Sequence, residues 1–242
     1  MFDSSALLGT AIQTESVVSK IINRITDAII SGELKPGDKL PTEVNLCSSL
    51  GVGRNSVREA IKILEAYGVL YIKRPDGTFV SDHFSKKMLD PMLYGILLQQ
   101  DSGSDLIHLR NILDVGILQT LISDISPIHL QYIHSAYTDL QAACTASFAD
   151  AKQILDADIH FHMALANATE NKLLINIYSY VDRITVPSRT RAISRMMEEA
   201  AFDNFLELHR KIVSIVVQRN LSAIDSVISE HYVIWKQIIS HS

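Results

Sequence analysis

Apolar positions change their period along the chain, and each change marks an element. Between Ser16 and Ile30, Val17, Ile21, Ile25, Ala28 and Ile29 recur at the spacing of one helical face. Ser31-Gly32 ends that helix, and Leu34-Lys35-Pro36-Gly37-Asp38 reads as a turn. A short helix opens at Pro41-Thr42-Glu43 and runs to about Leu50, with Thr42 as its cap and Glu43 in the positive first turn. Gly51-Val52-Gly53 is a tight break. The next helix, about Arg54 to Tyr67, buries Val57, Ile61 and Leu64, and Gly68 closes it as a left-handed cap would. Two β-prone runs, 69–73 and 78–80, flank Arg74-Pro75-Asp76-Gly77 and predict a hairpin. Helix, helix, short turn, helix and hairpin is the layout of a winged helix-turn-helix, which places its last helix in the major groove of DNA.

Residues 1–14 show no periodicity and read as a loose arm, and the polar stretch SDHFSKKMLD at 81–90 reads as a linker. Beyond it only helical periodicity is found, over roughly 88–99, 104–124, 127–147, 150–168, 172–186, 195–219 and 221–240. Breaks are expected at Asp101-Ser102-Gly103, Ser126-Pro127, Thr169-Glu170-Asn171, Val186-Pro187 and Asn220. The expected fold is mainly α: a winged helix-turn-helix over 16–81, after an arm at 1–15, and a linker at 82–90. An all-α antiparallel bundle of six or seven helices then fills 91–242.

Composition supports two folded domains and narrows their setting. Hydrophobic residues make up 47% and charged residues 20%, as in globular rather than disordered chains. The two cysteines, Cys47 and Cys144, lie far apart without metal-ligand spacing, which fits a reducing cytoplasm. The first residues lack the basic segment and apolar run of a signal peptide. No stretch approaches the ~20 apolar residues that span a bilayer, so no membrane partner is expected. The formal charge of −5 is unevenly placed. Residues 1–80 hold nine Lys/Arg and nine Asp/Glu, whereas the rest carries 13 basic and 18 acidic residues and all nine histidines. A neutral domain binds DNA when its cations share one face.

Arg54, Arg58 and Lys62 do so, recurring every four residues opposite Val57, Ile61 and Leu64. Arginine can grip the O6/N7 edge of guanine, a contact worth about 1–3 kcal/mol of discrimination. Asn55 suits adenine or a phosphate, and Ser56 the backbone. By charge pattern alone an ordinary solvated face, with Arg58-Glu59 and Lys62-Glu65 as surface pairs, is the commoner arrangement.

The surrounding string weighs against that. Residues 32–80, through Pro36-Gly37, Leu40-Pro41-Thr42-Glu43, Gly51-Val52, Arg54, Val57-Arg58-Glu59-Ala60, Leu64, Gly68 and Gly77-Thr78-Phe79-Val80, resemble the DNA-binding domain of the GntR family of bacterial regulators. The resemblance implies that Arg54 and Arg58 reach into the major groove and that the wing around Gly77 enters the minor groove, where a residue without Cβ lets the backbone approach. The candidate DNA-contact set is Thr42, Arg54, Asn55, Ser56, Arg58, Lys62 and Gly77. Gly53 stands where the family usually has Ser or Thr, and Val44 where many relatives have Arg.

In the helical part, Asp158 and His162 are four apart on one side of a helix, and His209 and His231 lie on the last two long helices. An Asp with three His reaching into a bundle interior suits a divalent transition metal such as Zn²⁺, Ni²⁺ or Mn²⁺. A histidine-rich region also yields such a pair by chance, and a buried His is usually a core residue; His160 points away from His162. The stretch Asp158-Ile159-His160-Phe161-His162, with Leu165, Ala168 and Asn171, then His209 and His231 22 residues on, resembles the FCD ligand domain of the FadR-like branch of that family. Leu109-Arg110-Asn111-Ile112-Leu113-Asp114 resembles its first helix, with Asp114 for the usual Glu; Glu170 replaces a usual Gly.

The resemblance implies the metal ligands Asp158, His162, His209 and His231, and a small organic acid effector completing the metal shell, its charge met by Arg110. It also implies a symmetric homodimer on operator double-stranded DNA, with repression released by ligand as the commoner outcome. Two rivals are a metal-dependent enzyme, which lacks an H-E-x-x-H helix or a placed general base, and a regulator that senses acyl-CoA without metal, against which the intact ligand set counts.

Overall fold

The computed structural model describes residues 15–88, 91, 95, 102–199, 201–233 and 235. The arm at 1–14 and most of the helix expected over 88–99 lie outside them. The chain forms two compact units, 1–95 and 96–242.

In the first unit, α1 (Val17–Ile30) starts where Ser16 Oγ accepts from Ser19 N and buries Ile21 and Ile25. It packs on α3 (Arg54–Ala66), whose buried face is Val57, Ala60, Ile61 and Leu64. Between them α2 (Glu43–Leu50) is capped by Thr42 and ended by Gly51 at φ +65°, a left-handed conformation that favours glycine. Strands β1 (Leu70–Lys73) and β2 (Gly77–Val80) pair antiparallel, Leu70 opposite Val80 and Lys73 opposite Gly77. The run before α2 adds a short edge to this hairpin: Leu40 N donates to Thr78 O, Val80 N to Asp38 O, and Lys39 bridges Phe79. The wing is thus tied to the segment that leads into the helix-turn-helix.

The second unit is a bundle of α4 (Ser102–Ser123), α5 (Pro127–Thr145), α6 (Ala151–Asn167), α7 (Lys172–Glu198), α8 (Phe202–Val217) and α9 (Ile224–His231). Helix α6 lies between α5 and α7, and α9 packs on α4 and α8. Their apolar faces close one core around Phe161, Leu121, Leu140 and Ile212. Pro127 takes the first position of α5 behind the Ser126 cap, where its missing N–H costs nothing. Glu170 adopts φ +55° in the α6–α7 turn, a left-handed conformation that favours glycine.

Three expectations need correction. The break at Val186-Pro187 does not occur: α7 runs through Pro187 to Glu198. Proline removes one ladder bond, but Ile184, Ala192 and Ile193 are buried on the core side. Packing outweighs the local penalty. Consequently the stretch 195–219 is not one helix; it divides at 199–201, before α8. The segment expected over 221–240 begins as a 3₁₀ turn (Leu221–Ala223) before α9, and most of its end lies outside the described residues. Among the described residues, no helix is long and apolar enough to cross a membrane.

Candidate DNA-contact face and candidate metal centre

The exposed side of α3 carries Arg54, Asn55, Arg58 and Lys62, with Ser56 half-buried at its edge. Gly53 stands at the N-cap and supplies no side-chain bond, so the first amides of α3 have no protein side chain capping them. Arg58 Nε donates to Glu43 Oε2 at 2.6 Å, and this bond raises the guanidinium pKa. Sequence proximity suggested Glu59 as the partner, but residues one apart diverge around a helix, whereas Glu43 opens the facing α2. The pair Lys62–Glu65 does not form; among the described residues neither Arg54 nor Lys62 has an ion pair. Thr42 Oγ1 is occupied as the α2 cap, accepting from Asn45 N at 3.3 Å. Gly77, at φ +131°, has Lys39 beside it: a Cβ there would lie 2.8 Å from Lys39 Cε. Its missing side chain therefore makes room for a cation on the wing as well as for close backbone approach.

In the bundle, α6 aims Asp158 and His162 inward, α8 brings His209 and α9 ends on His231. The ring nitrogens of the three histidines lie within 4.8 Å of one another. His209 Nδ1–H donates to Phe205 O at 2.7 Å, which turns its Nε2 to Asp158 Oδ1 at 2.8 Å. His162 Nε2 is 3.6 Å from the same oxygen. The buried Nδ1 of His231 has no hydrogen-bond partner. An orphaned imidazole nitrogen beside two others, with a carboxylate oxygen among them, is the donor set of a nitrogen-and-oxygen metal site, so these residues fit a divalent metal. Burial, then the charge of Arg110, lowers the pKa of His162 well below its usual value; burial, then His209, does the same for His231. Both are neutral at physiological pH, the state that ligates.

Asp158 has a second commitment. Arg189 binds its Oδ2 through Nη2 and, at 3.1 Å, through Nε. Burial pushes the Asp158 carboxyl up, but Arg189 and His209 outweigh it and hold it well below the carboxylate range. Arg189 also grips Asp182 at 2.5 Å, and Asp182 takes Arg110 Nη1 at 2.7 Å. Two guanidinium groups and two carboxylates thus form a buried chain, Arg110–Asp182–Arg189–Asp158. Arg110 is only 1% exposed, packs against the Tyr178 and Trp235 rings, and leaves Nη2 without a partner. Behind it, Asp114 accepts from Tyr178 at 2.5 Å and from Tyr232, with its pKa raised by burial.

Arg110, Asp158, His162 and His231 line one cavity of about 50 Å³, and the His209 ring packs on that of His231 with centroids 4.6 Å apart. The exposed His160 lies apart, 4.0 Å from Asp139. Sequence reasoning did not find Arg189, Asp182 or Trp235. A signal existed: Asp182, Thr185 and Arg189 lie three and four apart on one helical face, which the assumed break at Pro187 divided.

Residues 17–80 match the model of the bacterial regulatory proteins of the gntR family, and residues 105–233 match that of the FCD domain. The HTH-type transcriptional regulator LutR of Bacillus subtilis is 27% identical over 214 residues, 88% of this chain and 96% of that protein. The galactonate operon transcriptional repressor of Escherichia coli is 25% identical over 210 residues, 84% of this chain and 88% of that protein. Among solved structures, Streptococcus agalactiae GntR aligns at 27% identity with a TM-score of 0.57, covering 93% of this chain and all of that one.

Proposed function

Since the chain belongs to the gntR family of bacterial regulatory proteins and carries an FCD domain, we propose that it is a cytoplasmic transcription regulator whose operator affinity is set by a small carboxylate effector held at a metal centre. Membership makes it a DNA-binding regulator, not an enzyme. On this reading Arg54, Asn55, Ser56, Arg58 and Lys62 contact the operator, with Thr42 and the Gly77 wing at the flanks. His162, His209, His231 and Oδ1 of Asp158 hold Zn²⁺, Ni²⁺ or Mn²⁺.

One observation carries the effector assignment: Arg110 Nη2 is buried without a partner, and Arg110 lines the same cavity as Asp158, His162 and His231. A buried donor left without a partner costs about 1–3 kcal/mol, so a ligand that accepts is favoured there. Charge leads to the same conclusion. Asp158 and Asp182 already offset Arg110 and Arg189, so a bound metal cation leaves positive charge buried, and an anion offsets it. The metal, when bound, supplies a Lewis-acidic centre for the carboxylate.

The chain acts as a symmetric homodimer on a near-palindromic site, in the FadR-like manner, and ligand releases repression. The galactonate operon relative, named a repressor, supports that sign. Effector binding changes DNA affinity only if it binds one arrangement of the protein better than the other. The set Asp158, His162, His209 and His231 counts against the acyl-CoA alternative. The test is elemental analysis of purified wild type beside a His162→Ala/His209→Ala variant, followed by operator titration with and without organic acids. Metal in the wild type alone, with acid-dependent affinity, supports the reading; equal metal content in both removes the site.

A further inference from the structure

A neutral imidazole carries its proton on one ring nitrogen and can ligate only through the other, and the hydrogen bond made by the first decides which is which. His209 settles this by donating Nδ1–H to the Phe205 carbonyl at 2.7 Å, so that Nε2 is the atom turned to Asp158. His162 meets a different group. Its Nδ1 lies 3.4 Å from the Tyr178 hydroxyl, and its Nε2 lies 3.6 Å from Asp158 Oδ1. A hydroxyl has a single proton to give. Tyr178 Oη is 2.5 Å from Asp114 Oδ1, the length of a charge-assisted O–H···O⁻ bond, so the carboxylate takes that proton ahead of the more distant nitrogen. Only lone pairs of Tyr178 then face His162, and the proton between the two is the imidazole's own. The Asp114 carboxylate is itself held in place, because Tyr232 donates to its Oδ2 and the Arg110 guanidinium sits over the Tyr178 ring, 5.2 Å from its centre. Arg110, Asp114, Tyr178 and Tyr232 are at most 3% exposed, which leaves bulk water no access to compete.

We infer that Asp114 and Tyr178 are positioning residues of the metal centre: Asp114 takes the Tyr178 proton, and the Tyr178 oxygen holds His162 in the Nδ1–H tautomer, with the Nε2 lone pair on the side of Asp158. This rests on the metal reading above and deepens it, since one ligand is preset by the fold itself. In the opposite tautomer Nε2 carries the hydrogen, and His162 has to move that proton or turn its ring before it can ligate. Partners that orient a ligating histidine in this way are worth about 10–100-fold in metal affinity.

The test begins with the metal-free, full-length protein labelled with ¹⁵N-histidine, the His162 ring signals being identified by their loss in His162→Gln. Two-bond ¹H–¹⁵N correlations at neutral pH distinguish a proton on Nδ1 from one on Nε2. The proton is expected on Nδ1 in the wild type; a proton on Nε2 overturns the inference. Zinc affinity is then read by competition with a chromophoric chelator. Tyr178→Phe keeps the ring beside Arg110 and removes the hydroxyl, so Asp158 draws the His162 proton to Nε2 and zinc should bind about 10–100-fold more weakly. Asp114→Asn removes the charge that attracts the Tyr178 proton, acts in the same direction, and is read in its place if Tyr178→Phe does not fold. An unchanged tautomer or an unchanged zinc affinity in the folded variant overturns the inference and leaves the metal site standing. A wild type that binds no zinc removes the metal reading instead, and the tautomer still decides whether Tyr178 orients His162.

Discussion

The DNA-binding head and the sensor bundle use cations in opposite ways. On α3 the cations face water, and among the described residues only Arg58 has a charged partner. In the bundle, Arg110 and Arg189 are almost wholly buried, and each is held by carboxylates from elsewhere in the chain. Exposed cations remain available to a partner that brings its own charge, and their removal leaves the fold intact. Buried ones are part of the fold, and only the atoms left over, such as Arg110 Nη2, are free to recognise a ligand. The difference separates binding from stability in the head and merges them in the sensor.

The sharpest challenge to that contrast is Arg189→Ala. It leaves Asp158 and Asp182 buried without their shared cation, a loss expected at about 3–5 kcal/mol, read as a fall in the urea midpoint. A loss below about 1 kcal/mol would mean that the buried chain is no structural element. In the head the effect should fall on binding alone. Arg54→Ala and Arg58→Ala are each expected to weaken operator binding by about 1–3 kcal/mol, with an unchanged melting temperature. Weakened binding that merely tracks a lost fold would erase the contrast.

Acid exposes the buried side of the comparison. His162 and His231 have depressed pKa values in the fold, so their contribution to stability is present above about pH 6.5 and is lost as pH falls through the folded values. Asp158, also depressed, adds a loss only below about pH 4. With metal removed by chelator, stability should decline below pH 6.5 by up to about 1.4 kcal/mol per pH unit for each histidine. His162→Gln should remove one such contribution, and an unchanged slope would show that His162 titrates freely. The smallest effect is expected on the wing. Gly77→Ala strains a positive φ and displaces Lys39, costing about 1 kcal/mol or a little more, read in stability and in operator affinity together.

The head was legible in the sequence because its signals are local. Caps, glycine breaks and an apolar face repeating every three or four residues specify α1 to β2 without reference to distant chain. The three histidines and Asp158 were legible too, as spacings along helices matched to a family resemblance. The buried ion chain was not, for a physical reason. Proline at 187 is read as a break by its missing N–H, but core packing carries the helix through it. Only then do Asp182 and Arg189 share a face, and only the tertiary fold brings Arg110 and Asp158 to them from 72 and 31 residues away. Arg58 taught the same lesson on a smaller scale, since its partner is Glu43 across the helix-turn-helix rather than its neighbour.

The central claim is that occupancy of the buried cavity governs the exposed face. The direct measurement is fluorescence anisotropy of labelled operator DNA, titrated with zinc-loaded protein at fixed salt, with and without a panel of small organic acids. A shift in affinity of about 5- to 150-fold, absent after chelation of the metal, is the predicted result. Identical binding curves in the presence and absence of acid, in protein shown to hold metal, would contradict the account.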